Sequence, residues 1–217
     1  MLMSTGTDVW TDVHQERQAL LELLETLTPE QWDTPSLCAE WRIRDVVGHM
    51  VSETRMTVPQ AAWGFITSGF RINRYIAKDA RQRGAGPVAT LLEDFRSVVF
   101  ARTHLPGLSS LSMLEDIVIH QLDIRRPLEE DRNIPNGRMI PVATDLWTNR
   151  FFPGPKLFEG IRAIATDAEW SAGDGVDVTG PIEALVLTLA GRFAALDKLQ
   201  GDGTTTLRTR ADALRGH

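Results

Sequence analysis

Residues 111–126 read LSMLEDIVIHQLDIRR, and this stretch decides the class of the fold. Its apolar residues recur at helical spacing, and the pattern stops just before Pro127. A proline disfavours the helical conformation of the residue that precedes it, so a helix is expected to end there. The stretch therefore predicts an apolar-periodic helix. Asp116 and His120 lie four residues apart in it, so their side chains project from one face of the helix on successive turns.

Helical patterns also occupy much of the chain before and after this stretch. The apolar residues within 9–28 lie on one stripe of an amphipathic helix. A longer helix is expected from residue 43 to about residue 69, broken or kinked at Pro59. Further helices are expected at 70–83, 87–100 and 139–151. Together they predict a mainly α fold, with a helical bundle over residues 1–152.

The pattern changes after the sequence FFPGP at 151–155. Short β-prone runs separated by Gly, Asp and Ser follow, and residues 181–199, PIEALVLTLAGRFAALDKL, predict a helix that begins at a proline. Residues 153–217 are therefore predicted to form a small α/β domain.

The composition limits the classes of partner. The chain has 217 residues, a formal net charge of −6 and no run of lysine and arginine, whereas binding to a phosphate backbone needs clustered cations. No signal peptide is recognisable at the start, and no apolar stretch approaches the roughly 20 residues that span a bilayer. The single cysteine, Cys38, has no internal partner for a disulfide. We expect a cytoplasmic protein that binds neither nucleic acid nor membrane.

Asp116 and His120 are candidate metal ligands, with His49 in the sequence RDVVGHMV as the best third ligand. Imidazole and carboxylate groups bind zinc, nickel and ferrous iron, and three protein ligands with one open position are typical of a reactive site. The alternative is structural. An acid and a histidine four residues apart often form a surface pair that stabilises the helix by about 0.2–0.5 kcal/mol. His49 could likewise be a core histidine whose ring nitrogens are hydrogen-bonded within the protein.

Two further acids accompany the candidate ligands. Asp45 precedes His49 by four residues and Asp123 follows His120 by three, so each could orient its histidine ring through a hydrogen bond outside the ligand set. Salt bridges along a helix would explain both acids equally well.

Two motifs resemble those of a known family. Residues 23–53, LLETLTPEQWDTPSLCAEWRIRDVVGHMVSE, resemble the N-terminal signature of the mycothiol-dependent maleylpyruvate isomerase family, a branch of the DinB-like metal-binding four-helix bundles. Trp41, Asp45 and His49 match its tryptophan, aspartate and first histidine. Residues 115–128, EDIVIHQLDIRRPL, resemble its second motif, and place Asp116, His120 and Asp123 in the corresponding positions.

The resemblance extends beyond the bundle. Residues 161–176 and 180–192 are similar to the C-terminal domain of actinobacterial members, a reduced sterol-carrier-like module. One position departs from the family, whose isomerases typically carry glutamate four residues before the second histidine. This chain has Asp116 there, one methylene shorter, and Glu115 points about 100° away around the helix.

The resemblance implies a metal-dependent enzyme that uses a small thiol. The implied cofactors are a divalent metal at His49, Asp116 and His120, zinc before nickel or iron, and mycothiol. The implied partners are this thiol and a small electrophilic substrate, acted on by an isomerase or S-transferase that is a monomer or homodimer. The alternative is a non-catalytic protein that binds a metal or small ligand on the same bundle, since one fold hosts many functions.

Overall fold

The computed structural model describes residues 8–67, 72–105 and 107–215. Its contacts divide the chain into two compact units, residues 1–132 and 133–217. The described part of the first unit contains seven α-helices: α1 (Val9–Leu24), α2 (Pro29–Trp32), α3 (Ile43–Arg55), α4 (Val58–Thr67), α5 (Ile72–Gly84), α6 (Val88–Val98) and α7 (Ser110–Arg125).

Four of these helices, α1, α3, α6 and α7, form the predicted bundle. Both α1 and α3 pack against α6 and α7, while α5 lies along α3. Aliphatic residues fill the space between the four helices, among them the fully buried Leu20 of α1, Val47 of α3 and Val118 of α7. Burying each such side chain stabilises the fold by about 1.5–3 kcal/mol. The bundle core is therefore the frame that holds the polar residues of α3 and α7.

Hydrogen bonds at the helix ends fix where several helices begin. The Thr28 hydroxyl accepts from the backbone N–H of Gln31, whose side chain accepts from the backbone of Thr28, so that α2 starts with a capping box. Ser109 caps α7 in the same way, by accepting from the backbone N–H of Ser112. The predicted helix at 9–28 ends earlier, at Leu24, because Thr28 already belongs to the start of α2.

The expected break in the helix from residue 43 lies slightly before Pro59. α3 ends at Arg55, Met56 is extended, and α4 begins at Val58. Pro59 therefore occupies the first turn of α4, where its missing N–H has no partner to lose. Residues 68–71, where the predicted helices at 43–69 and 70–83 meet, lie outside the described residues.

The second unit combines helices with one small sheet. Its elements are α8 (Asn136–Thr148), α9 (Gly154–Leu157), β1 (Ile161–Ala165), β2 (Ser171–Ala172), β3 (Val176–Gly180), α10 (Ile182–Leu189) and α11 (Thr204–Arg215). The strand order is β2-β1-β3, with β2 antiparallel and β3 parallel to β1. In this register Ala163 lies opposite both Ala172 and Val178. The prediction that the C-terminal part of the chain folds as a small α/β domain is confirmed.

Its bounds differ from those expected. The contacts divide the chain at residue 132 rather than 152, because the buried face of α8, with Val142 and Leu146, packs against α10. The helix predicted over 181–199 ends at Leu189, where the chain turns through Gly191 at a φ of +79°. No helix in the described parts of the chain combines the length and the apolar character that a membrane span requires.

Candidate metal centre

His49, Asp116 and His120 converge at the contact between α3 and α7. Oδ1 of Asp116 lies 3.5 Å from Nε2 of His49 and 3.2 Å from Nε2 of His120. One ligand atom from each of the three residues lies within 4.8 Å of the other two. The side chains of His49 and Asp116 keep 15% and 17% of their surface exposed, so the cluster is reachable from solvent.

These separations fit a divalent metal. Ligand atoms bound tetrahedrally at about 2.1 Å lie roughly 3.4 Å from one another, which matches the two distances from Asp116. Two imidazoles and one carboxylate are also the ligand set of several catalytic zinc sites. Asp116 reaches both histidines although it is one methylene shorter than the glutamate of the family motif.

Asp123 holds the His120 ring in place. Its Oδ2 lies 2.9 Å from Nδ1 of His120, and its side chain is fully buried on α7. With the Nδ1 proton donated to Asp123, Nε2 of His120 is the nitrogen that faces Asp116. The contact expected for Asp123 is therefore present.

Asp45 has a different partner from the one expected. Its carboxylate accepts hydrogen bonds from the backbone N–H of Arg42 at 3.0 Å and from Nε and Nη2 of the same residue, both at 3.1 Å. Asp45 is the third residue of α3, where a carboxylate satisfies free backbone N–H groups and the positive end of the helix dipole. It thus stabilises the start of α3, while the His49 ring packs against Trp41.

Trp41 forms an apolar wall beside the two histidines. The centroid of its ring lies 5.1 Å from that of His49 and 6.2 Å from that of His120, and the residue is 9% exposed. Trp41 immediately precedes Arg42, the residue that caps α3. The wall shields one side of the candidate ligands from water.

Glu53 is a member of the site that the sequence analysis missed. It lies on α3 one turn after His49, and its carboxyl group is hydrogen-bonded to that of Asp116. The four-residue spacing between His49 and Glu53 was the available signal, and it also fits a simple helix-surface position.

A buried cation lies behind these carboxyl groups. Arg17 of α1 is 5% exposed, and its Nη1 donates to the backbone carbonyls of Val98 at 3.2 Å and Ala101 at 3.0 Å. Its Nη2 donates to Oγ1 of Thr54, next to Glu53 in α3. Burial lowers the pKa of Arg17, whereas the charges of Asp116 and Glu53 raise it. The guanidinium thus provides positive charge close to the acidic side of the cluster.

The ionisation of the cluster follows from its charges. Burial favours neutral forms, yet the Asp116 carboxylate and Asp123 outweigh it and raise the pKa of His120 well above its usual range. The same ion pair, with a hydrogen bond from His49, holds the pKa of Asp116 well below its usual range against the effect of burial. Burial and the adjacent Asp116 together raise the pKa of Glu53 well above normal. Without metal, these shifts favour the protonated forms of His120 and Glu53 and the ionised form of Asp116.

Comparison with known protein families gives one match to the N-terminal part of the chain. Residues 13–105 match the family described as mycothiol maleylpyruvate isomerase N-terminal domain, a range that contains His49 and Glu53 but ends before α7. A search of curated proteins finds no significant match to the sequence.

Two solved structures share the fold of almost the whole chain. One is the mycothiol-dependent maleylpyruvate isomerase, with a TM-score of 0.60 at 14% identity. The other is a histidine-to-alanine mutant of the mycothiol-dependent maleylpyruvate isomerase, with a TM-score of 0.62 at 12% identity. Each match covers 90% of this chain and 92% of the solved one. The predicted fold is thereby confirmed, and the match over residues 13–105 supports the resemblance to the mycothiol-dependent maleylpyruvate isomerase family.

Proposed function

We propose that this protein is a metal-dependent enzyme in which a low-molecular-weight thiol, mycothiol, attacks a small electrophilic substrate. His49, Asp116 and His120 would hold the metal, with zinc as the first candidate. The observation that carries the proposal is the convergence of two histidine Nε2 atoms on one Asp116 oxygen, at 3.5 and 3.2 Å, in the fold of a mycothiol-dependent isomerase.

The chemistry follows from the ligand set. A divalent metal with an open position lowers the pKa of a bound thiol, so that the nucleophilic thiolate is available at neutral pH. The protein contributes orientation: Asp123 keeps the proton of His120 on Nδ1, and Trp41 excludes water from one side. Addition of the thiolate to an electron-poor carbon would then lead to isomerisation or to S-transfer.

The first test is metal content. Tag-free protein purified after expression with zinc should contain about one equivalent of transition metal, as expected for a single three-ligand site. His49→Ala and His120→Ala should contain none while keeping their helical circular dichroism. His104→Ala is the matched control, because His104 is exposed and lies outside the cluster. Metal retained by His120→Ala would contradict the proposed ligand set.

The second test is turnover. The metal-loaded protein should consume mycothiol, or isomerise a cis unsaturated oxo-acid in its presence, and both His49→Ala and metal removal should abolish the reaction. A fully metallated protein that turns over no member of a broad electrophile panel would contradict the enzymatic part of the proposal and leave a metal-binding protein.

A further inference from the structure

A groove between α4 and α5 takes no part in the proposed chemistry. It has a volume of about 670 Å³, within the range of about 300–1,000 Å³ that is usual for small-molecule sites. Its lining includes Trp63 and Thr67 from α4 and Arg74, Tyr75, Lys78 and Arg81 from α5. Among the described residues that line it, none is a candidate metal ligand, so the groove is a separate place in the first unit.

Two aromatic side chains shape the groove. The Tyr75 ring lies close to Gly64 of α4, where an added β-carbon would be 2.5 Å from Cε1 of the ring. This close approach keeps the Tyr75 ring in place. Trp63, in contrast, keeps 69% of its surface exposed. A ligand with an aromatic or apolar surface would gain free energy of binding by covering this indole, because apolar area would leave water.

Two of the charged side chains in the groove already have partners. Oδ2 of Asp79 lies 2.9 Å from Nε of Arg83, and Nη1 of Arg81 lies 3.2 Å from Oε2 of Glu40. Each pair brings one positive and one negative charge together. These four residues therefore add little net charge to the groove.

Arg74 and Lys78 supply the net charge of the groove. Both are exposed, and neither has an ion-pair partner within the described parts of the chain. They lie four residues apart on α5, so their side chains project from one face of the helix, with about 6 Å of helix rise between them. In a chain of net charge −6, two free cations in one groove favour an anionic ligand.

We propose that the groove binds a small aromatic anion of the aryl carboxylate class, with its carboxylate at Arg74 and Lys78 and its ring against Trp63. The two cations select the negative charge, and the planar guanidinium of Arg74 suits a carboxylate because it can donate two parallel hydrogen bonds. The exposed indole selects the ring, since aromatic pairs gain from both stacking and burial. The inference does not rest on the proposed function, because the groove and the candidate metal ligands have no residue in common.

Equilibrium dialysis with 2-naphthoate tests the proposal, with the fluorescence of naphthoate giving its concentration on each side of the dialysis membrane. His49→Ala should bind naphthoate as tightly as wild type, which shows that the carboxylate is not held by a metal at the candidate centre. The double variant Arg74→Ala/Lys78→Ala should bind about 10-fold more weakly, because two exposed charge contacts are lost. Trp63→Ala should also bind about 10-fold more weakly, because the stacking surface is lost.

Matched controls make the same kinds of change outside the groove. Phe100→Ala removes an aromatic side chain that is also 69% exposed, and Arg150→Ala/Lys156→Ala removes two exposed cations of the second unit. Both controls should bind naphthoate like wild type. Two other probes test the ligand class: 2-naphthylmethylamine carries the opposite charge and acetate has no ring, so each should bind at least about 10-fold more weakly than naphthoate.

The indole N–H signals in NMR spectra locate the bound ligand. The chain has six tryptophans, and the signal that disappears in Trp63→Phe identifies Trp63. Saturating naphthoate should shift this signal more than any other indole signal. An unshifted Trp63 signal, an unchanged affinity in Arg74→Ala/Lys78→Ala, or equally tight binding of 2-naphthylmethylamine or acetate would overturn the inference.

Discussion

At the scale of single residues, His120 is fixed by two acids on its own helix. Asp116 contacts its Nε2 at 3.2 Å and Asp123 contacts its Nδ1 at 2.9 Å, and the ring is almost fully buried. A buried ion pair of this kind costs much more when one partner is removed than it contributes as a pair, because the remaining charge is left without compensation. The stability of the metal-free protein therefore depends on the protonation of His120.

This dependence predicts how the stability of the metal-free protein changes with pH. The pKa of His120 is raised in the folded state above the value of about 6.5 of an unfolded chain. The imidazolium thus stabilises the fold fully below about pH 6.5 and loses this contribution as the pH rises through the folded-state pKa. Urea unfolding with chelator present should show the free energy of unfolding of wild type falling from pH 6.5 toward pH 9.

His120→Gln is the reference for this measurement, because it removes the titrating group and keeps a polar side chain. The gap in the free energy of unfolding between wild type and this variant should be largest near pH 6 and shrink as the pH rises. Parallel curves for the two proteins over the whole range would show that the ion pair does not contribute to stability.

The sequence predicted the candidate ligands, but not all of the residues that contact them. The four-residue spacing of Asp116 and His120 required a shared helix face, whereas the partnership with His49 depends on which helices are neighbours, and only the family resemblance indicated that. Asp45 shows the limit of spacing arguments. Its position suits a contact with His49, yet its carboxylate accepts from the backbone N–H and the guanidinium of Arg42, and hydrogen bonds between charged groups are strong.

At the scale of elements, the close packing of α5 on α3 fixes the helix that carries His49. Gly48 and Gly84 lie at this contact, where a β-carbon on Gly48 would be 3.0 Å from both the carbonyl oxygen of Ala80 and Cβ of Arg83. The absence of side chains at the two glycines therefore lets the helix backbones approach closely. The sequence predicted helices over both segments, but did not indicate how closely they pack.

Gly84→Ala should consequently destabilise the first unit. The added β-carbon would lie 2.1 Å from Oδ1 and 3.0 Å from Cα of Asp45, so either α5 moves or Asp45 leaves Arg42. Overpacking of this kind costs about 1–3 kcal/mol, and urea unfolding of the purified variant measures it.

Gly137→Ala is the control for a helical glycine. No heavy atom lies within 4 Å of a β-carbon at this position in α8, so the change should leave stability equal or raise it by up to about 1 kcal/mol. Equal effects of the two substitutions would mean that helix propensity, not the contact with Asp45, governs the result at Gly84.

At the scale of the whole molecule, the metal should stabilise the two units unequally. All three candidate ligands belong to the unit of residues 1–132, and the unit of residues 133–217 has its own core around β1, β3 and α10. A ligand that binds only the folded form adds about 2.7 kcal/mol at a free concentration one hundred times its Kd. Whether this added stability reaches the second unit depends on whether the two units open together, which a single global unfolding curve would conceal.

Amide hydrogen exchange with and without zinc resolves the question residue by residue. At that zinc concentration, amides of α3 and α7 that exchange through opening of the first unit should slow by about 100-fold, because the metal must dissociate before the ligands separate. Amides of β1 and β3 serve as the internal reference and should change much less. His49→Ala should remove the slowing in α3 and α7 alike, since both helices owe it to the shared ion. Slowing that is confined to α7 would contradict a metal that bridges the two helices, and would indicate a metal held by Asp116 and His120 without His49.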